Sequence, residues 1–215
     1  MRGVSRSGMI AGAVVCFLLV TCAGLAAFAG LITVFALAWA TTKFGYPRKQ
    51  RLGTAERKDG RTASQVLANL ATPAICAILY GSTGKTMFVV AMAAALAEAA
   101  ADTVSSEVGQ VAGRAPRLIT TWKLVPIGTD GAISMAGTMA GVVGALIVAS
   151  VCVIFQLVRI SESVILFGAA VLGMFADSLL GAWLERRGRM NNDAVNFLST
   201  VIAGVVAAST LLAVR

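Results

Sequence analysis

The 215-residue chain contains no histidine and few charged side chains. Charged residues make up 13% of the sequence and hydrophobic residues 58%, whereas soluble domains average about 25% and about 45–50%. These departures exclude an ordinary soluble domain, a disordered chain and a secreted disulfide scaffold. The absence of histidine removes the commonest general base, every Ser-His triad and most transition-metal sites. The four cysteines lie in apolar runs without CxxC spacing, so neither a zinc site nor a disulfide framework is indicated.

The apolar runs predict an all-α, polytopic membrane bundle of about seven helices (six or seven) that forms a single membrane domain over residues 1–215. The run from Met9 to Thr42 is too long for one span and fits two, with a break near Cys22–Gly24. A cleaved signal peptide is the alternative for its start, but apolar sequence continues to Ala40 with no polar mature start. The five further predicted spans are Ser64–Tyr80, Thr86–Ser106, Ile133–Leu157, Ser161–Leu184 and Asp193–Val214.

Basic residues predict how the bundle is oriented. The net charge is +8, and seven spans would place most of the 18 Lys and Arg residues, including Arg2 and Arg6, on one side. The positive-inside rule assigns that side to the cytoplasm, so we expect an N-terminus inside, a C-terminus with Arg215 outside, and a place in the cell (inner) membrane. If the first two spans were a single span, only Arg2 and Arg6 would change to the other side of the membrane. Orientation in the membrane already explains the basic charge of the loops. We therefore expect the lipid bilayer as a partner and do not expect nucleic acid.

Three acidic residues fall inside predicted spans, where ionisable groups are costly and usually functional. Glu98 and Asp102 are four residues apart and so share a helix face, which Ser106 continues, and Asp177 lies between two glycines in span six. Three buried carboxylates at similar depth predict a divalent cation such as Mg²⁺. The alternative is that these acids pair with loop Lys or Arg or carry protons. Glu107 is rotated away from Glu98 and is expected to cap a helix or form a salt bridge.

Amides and other polar side chains recur at four-residue spacing in the same layer. Span three begins with Arg61, Gln65 and Asn69, and span seven begins with Asn192, Asn196 and Thr200. Helix capping is a sufficient explanation for at least one of the polar residues at 191–193. Asn196 lies past the cap and is a better candidate for binding.

The loop over residues 113–134 combines charge, hydroxyl groups and glycine. Gly128 and Gly131 permit tight turns whose N–H groups can hold phosphate, and Arg117 and Lys123 supply positive charge. A solvated positive-inside loop explains the same composition equally well.

Five motifs, in order, resemble one family of integral membrane proteins. They are Arg61-Thr-Ala-Ser-Gln-Val-Leu-Ala-Asn69, Ala101-Asp-Thr-Val-Ser-Ser-Glu-Val-Gly109, Gly128-Thr-Asp-Gly-Ala-Ile-Ser134, Asp177-Ser-Leu-Leu-Gly-Ala182 and Asn191-Asn-Asp-Ala-Val-Asn196. The family includes transmembrane protein nineteen of eukaryotes and phytyl-phosphate kinase, and the resemblance extends from about Thr42 to the C-terminus. It implies a polytopic helical fold. Its kinase member implies phosphoryl transfer from a nucleoside triphosphate, ATP or CTP, to an isoprenyl monophosphate.

The residues suit that reaction, because phosphoryl transfer needs positioning, metal and cationic groups, and an acceptor phosphate is already a nucleophile. On this interpretation Glu98, Asp102 and Asp177 hold Mg²⁺ and form the catalytic set with Lys123. Phosphate and nucleotide contacts are expected from Arg61, Arg117, Thr120, Thr121, Gly128, Thr129 and Gly131. Orientation of the substrates is expected from Asn69, Ser106, Asn192 and Asn196.

Two other functions fit the same residues. A lipid nucleotidyltransferase would use the same metal and cationic groups but release pyrophosphate. A transporter or flippase for a phosphorylated lipid should carry polar groups through the full depth of the bundle. Here they crowd the predicted cytoplasmic half, which favours an enzyme at the interface.

Overall fold

The computed structural model describes residues 3–56 and 59–214, and most of them are helical. The α-helices are α1 (Arg6–Lys43), α2 (Tyr46–Leu52), α3 (Ala63–Thr83), α4 (Thr86–Ala112), α5 (Met135–Ile154), α6 (Ile160–Leu180) and α7 (Asn192–Ala213). Within the described ranges, six helices are long and apolar enough to cross a membrane, and α2 is the short exception. The predicted all-α polytopic fold is confirmed.

Helix α1 is folded back on itself at Gly24. This residue has φ 81° and ψ −177°, a conformation that interrupts the helix and that glycine adopts without strain. A Cβ built on Gly12 would lie 3.5 Å from the ring of Phe35, although a straight helix would separate these residues by about 34 Å. The two arms, residues 6–23 and 25–43, therefore run antiparallel, so the six helices of membrane-spanning length contain seven apolar segments. The break predicted near Cys22–Gly24 is confirmed.

Helix α4 lies at the centre of the bundle. Its alanine-rich segment, residues 89–101, is buried against α1, α3, α5, α6 and α7. Glycines on the neighbouring helices allow this close approach: a Cβ on Gly141 would lie 2.7 Å from the carbonyl of Ala101, and one on Gly173 would lie 2.6 Å from Glu98 Cγ. Small residues at helix contacts are the usual means of dense packing in membranes.

Backbone contacts show which loops share an end of the bundle. The Ser5 N–H donates to the Arg61 carbonyl at 3.0 Å, so the N-terminus lies beside the start of α3. The turn of α1 lies at the opposite end, where Cys22 is next to Gly81. All described Lys and Arg residues except Lys85 and Arg159 lie at the first end, which we call the basic end. Four residues used in the orientation prediction lie outside the described residues, namely Arg2, Arg57, Lys58 and Arg215. The cytoplasmic assignment of the basic end stays a prediction.

The segment between α4 and α5 folds over the end of α6. Strand β1 (Arg117–Leu118) pairs antiparallel with β2 (Ala132–Ile133). Helix α6 continues beyond Leu180 as a π-helical turn, Gly181–Glu185. Gly131, with φ 73°, contacts the backbone of Ala182 so closely that a Cβ would collide there. Helix α4 extends six residues beyond the predicted end at Ser106, so Glu107 lies within it.

Candidate active site

A polar cavity of about 380 Å³ opens at the basic end, between α3, α4, α6, α7 and the segment that joins α4 to α5. It gathers residues from all five sequence motifs. The sequence-predicted residues that line it are Arg61, Asn69, Asp102, Ser106, Gly128, Thr129, Gly131, Asp177, Asn192 and Asn196. These positions are far apart in the chain, and the bundle brings them together around one cavity.

Two carboxylates face each other in the wall of this cavity. Asp102 on α4 and Asp177 on α6 both line it and are close enough to influence each other electrostatically. Arg61, at the start of α3, is close enough to Asp102 to attract it electrostatically. Asp177 Oδ2 is buried and has no hydrogen-bond partner among the described residues. Facing carboxylates would repel each other if both were charged, so the pair is suited to a cation or to a shared proton.

Glu98 lies one turn deeper than Asp102, about 6 Å along the axis of α4. It is 1% exposed and packs against Gly173 of α6. Its carboxyl group is close enough to the Ser199 side chain to interact with it, and Oε1 is buried without a hydrogen-bond partner in the part of the chain that the structure describes. Over the described ranges, no three Asp, Glu, Cys or His side chains are placed so that they could jointly hold a metal ion. Glu98 does not line the cavity, and its convergence with Asp102 and Asp177 on one metal ion, directly or through one water, stays a prediction.

The remaining pair fits a cation in other respects. Mg²⁺ is commonly bound by one or two carboxylates together with phosphate oxygens and water. Three buried polar atoms that line the cavity lack partners in the described structure: Thr54 Oγ1, Gln110 Oε1 and Asp177 Oδ2. Buried polar groups are nearly always satisfied, so these atoms are available to water or to a polar ligand in the cavity.

Sequence reasoning missed two acidic residues of the cavity, Asp130 and Glu185. Glu185 interacts electrostatically with both Asp130 and Asp102. Asp130 belongs to the motif Gly128–Ser134, which was a usable signal. Glu185 reaches the cavity because the π-helical turn changes the direction of the side chains at the end of α6, and no sequence pattern announces that turn. With Glu56 and Glu107, six acids and the single base Arg61 are found among the described lining residues.

Besides Glu98, four sequence-predicted residues do not line the cavity: Arg117, Thr120, Thr121 and Lys123. The cause is the hairpin that begins at β1. The Arg117 guanidinium donates to the Trp122 carbonyl at 2.7 Å, which holds the tip of the hairpin, and Lys123 is exposed. Alternation along β1 directs Leu118 inward and Arg117 outward. The cationic contacts expected from Arg117 and Lys123 are thus absent from the cavity wall.

At the start of α7, one asparagine caps the helix and two others line the cavity. The Asn191 side chain accepts from the Ala194 N–H at 2.9 Å and caps the helix. Asn192 and Asn196 are one turn apart and face the cavity. Capping therefore explains Asn191 and leaves the other two available to a ligand.

Glu107 forms the salt bridge expected for it, with Lys49 of α2. Lys49 Nζ lies 2.5 Å from Glu107 Oε2, and the Thr42 hydroxyl donates to Glu107 Oε1 at 2.8 Å. This pair ties α2 and the end of α1 to the rim of the cavity.

An apolar groove of about 860 Å³ meets the polar cavity from the side. Its walls are the two arms of α1 together with α3 and α4. The groove and the cavity share Glu56, Arg61, Gln65, Asn69 and Thr103. At this junction an Arg61 N–H donates to the Thr103 hydroxyl at 3.5 Å.

Comparison with known proteins identifies the family. A model of the integral membrane protein family DUF92 matches residues 1–204, and the chain belongs to that family. The resemblance stated from the five motifs is confirmed. An uncharacterized membrane protein of Methanocaldococcus jannaschii is 34% identical over 210 residues, which cover 95% of this chain and 84% of the relative.

Two further relatives come from Arabidopsis thaliana and Synechocystis. The chloroplastic protein VTE6 of Arabidopsis thaliana is 30% identical over 216 residues, which cover 96% of this chain but 65% of VTE6. An uncharacterized membrane protein of Synechocystis is 30% identical over 182 residues, which cover 82% of this chain and 70% of the relative. No solved structure matches.

Proposed function

We propose that the protein transfers the γ-phosphoryl group of a nucleoside triphosphate to an isoprenyl monophosphate and so forms the diphosphate. The observation that carries this proposal is the facing pair Asp102 and Asp177 beside Arg61, in a polar cavity at the basic end. The reaction itself comes from the family resemblance, through its phytyl-phosphate kinase member. With the positive-inside rule, the site would face the cytoplasm, where nucleotides are available.

Transfer would begin with an oxygen of the acceptor phosphate, which attacks the γ-phosphorus of the nucleotide. The bond from the γ-phosphorus to the bridging oxygen breaks, and the nucleoside diphosphate leaves with that electron pair. An acceptor phosphate that is already ionised needs no general base, which fits a chain without histidine.

Repulsion between two polyanions is the main obstacle in this reaction, and cations must offset it. Among the described lining residues Arg61 is the one base, and we assign it to the acceptor phosphate. Asp102 and Asp177 would hold Mg²⁺, which would neutralise charge on the transferring group. Asn192 and Asn196 would orient the nucleotide or the acceptor through their amides.

The distribution of polar groups favours an enzyme over a transporter. Among the described residues, the buried polar side chains below Glu98 are Thr72 and Thr200, which hydrogen-bond each other at 2.8 Å, and Glu162, which pairs with Arg159 towards the opposite end. A transport path would need groups that could contact a polar substrate through the remaining depth. A nucleotidyltransferase would use the same cavity and differs in its products.

Purified protein with Mg²⁺, ATP or CTP, and phytyl or geranylgeranyl monophosphate tests the proposal. We expect formation of the lipid diphosphate, and we expect Asp102→Asn to lower turnover a hundredfold or more, about 3 kcal/mol of transition-state stabilisation. This substitution keeps the shape of the side chain and removes its charge. Ser161 is exposed at the opposite end of the bundle and provides a control, because Ser161→Ala should leave turnover unchanged. Absence of turnover with every pair, together with movement of the lipid across sealed vesicles, would support the transporter.

A further inference from the structure

We infer that the apolar groove beside Arg61 binds the part of a single hydrocarbon chain nearest to the acceptor's phosphate. The assignment rests on the proposed function, which supplies the phosphate at Arg61. The family resemblance does not say where the chain lies, and the groove assigns it to the N-terminal hairpin of α1.

Charge is distributed along the groove as a lipid phosphate requires. Its junction with the polar cavity carries Arg61, with Arg6 and Lys43 on the nearby rim. Away from the junction the floor is buried and apolar: Val34, Val66, Leu70 and Ala99. Phe35, Trp39 and Ile32 form the side towards the bilayer. One end thus suits an anionic head and the remainder suits hydrocarbon.

The length of the groove limits which part of the chain it contacts. Along the second arm of α1 the lining residues extend from Lys43 to Ile32, about 16 Å at 1.5 Å per residue. This is about half of the roughly 30 Å apolar thickness of a bilayer. The groove therefore contacts the first part of a long chain and leaves the far end in lipid. This groove shares Arg61 with the polar cavity, so we assign one chain to each phosphate.

Selection in such a groove depends on shape. A hydrocarbon chain gains little by leaving lipid for an apolar protein surface, because both are equally apolar. Side chains that narrow the groove should therefore weaken binding, and lengthening the chain beyond the groove should have little effect.

Binding of tritiated geranylgeranyl monophosphate to the detergent-purified protein, without nucleotide, tests this assignment. We expect Ala38→Leu, on the wall, and Ala99→Leu, on the floor, to raise the Kd at least tenfold. Ala40→Leu is the matched control, because Ala40 is exposed on the same arm and does not line the groove; its Kd should stay within twofold. The two test variants make the experiment robust to a folding defect at Ala99, which is 1% exposed.

Competition experiments test whether binding needs the phosphate and whether the groove holds one hydrocarbon chain or two. Farnesyl monophosphate should compete about as well as the geranylgeranyl compound, whereas geranylgeraniol, which lacks the phosphate, should compete at least tenfold less well. Dioleoyl phosphatidic acid competing equally would overturn the single-chain assignment. Equal losses in Ala38→Leu and Ala40→Leu, or no loss in either test variant, would overturn the groove assignment. The expected binding pattern without turnover of any nucleotide would support the groove and refute the kinase.

Discussion

Removal of the Lys49 ammonium group should destabilise the protein strongly, because it is the base of a buried ion pair. Lys49 is 0% exposed and its Nζ donates to the carbonyls of Thr41 and Thr42, at 2.9 and 2.8 Å, and to Glu107 at 2.5 Å. The two carbonyls belong to the last turn of α1, which has few other donors available to it. Lys49→Met keeps the length of the stem and leaves both carbonyls and one carboxylate without the ammonium group.

Loss of one partner from a buried pair costs about 3–5 kcal/mol, because the other charge stays buried. For a protein of this size, 1 kcal/mol corresponds to a shift of about 2–4 °C in Tm, so we expect Lys49→Met to lower Tm by about 10 °C. The double variant K49M/E107Q should recover at least half of this loss. It removes the orphaned charge and keeps an acceptor for the Thr42 hydroxyl, which donates to Glu107 at 2.8 Å.

Thermal unfolding in detergent, followed by tryptophan fluorescence, measures these shifts. Lys123→Met is the matched control, because Lys123 is an exposed lysine at the same end of the bundle, and its effect should stay within about 0.5 kcal/mol. A Lys49→Met variant as stable as the control would refute the buried pair. A double variant no more stable than Lys49→Met would show that lost packing, rather than the orphaned carboxylate, accounts for the destabilisation.

Two further outcomes follow from the geometry of the basic end. A Cβ on Gly8 would collide with the Arg61 carbonyl, so Gly8→Ala should displace Arg61 and raise the KM for the lipid phosphate about tenfold with a smaller change in kcat. Gly12→Ala, one turn away, meets only ordinary contact with Phe35 at 3.5 Å and should leave KM unchanged. Single cysteines in place of Lys85 and Lys123, in a background without the native cysteines, should react with an impermeant reagent from opposite sides of the membrane; labelling of both from one side would contradict the orientation.

The helices and the principal carboxylates could be predicted because their signals are local. Apolar runs locate the spans, and a glycine in the middle of an overlong run indicates that the chain reverses direction at Gly24. Asp102 and Asp177 stand out because charge is costly within a span. The four-residue spacing of Asn192 and Asn196 likewise places both on one face of α7.

The remainder of the site depends on contacts that no local pattern encodes. Lys49 and Glu107 are 58 residues apart, and their pairing follows from how α2 packs against α4. The outward direction of Arg117 depends on the register of a two-residue strand. Glu185 enters the cavity through a π-helical turn, and the groove exists only because the arms of α1 fold beside α3 and α4.

The most direct measurement of the central claim follows the two phosphorus labels of the nucleotide separately. With isoprenyl monophosphate, Mg²⁺ and purified protein, label at the γ-position should appear in the lipid product, and label at the α-position should stay in the nucleoside diphosphate. Both results together identify transfer of the terminal phosphoryl group. Label from the α-position in the lipid, with release of pyrophosphate, would contradict the account and identify a nucleotidyltransferase.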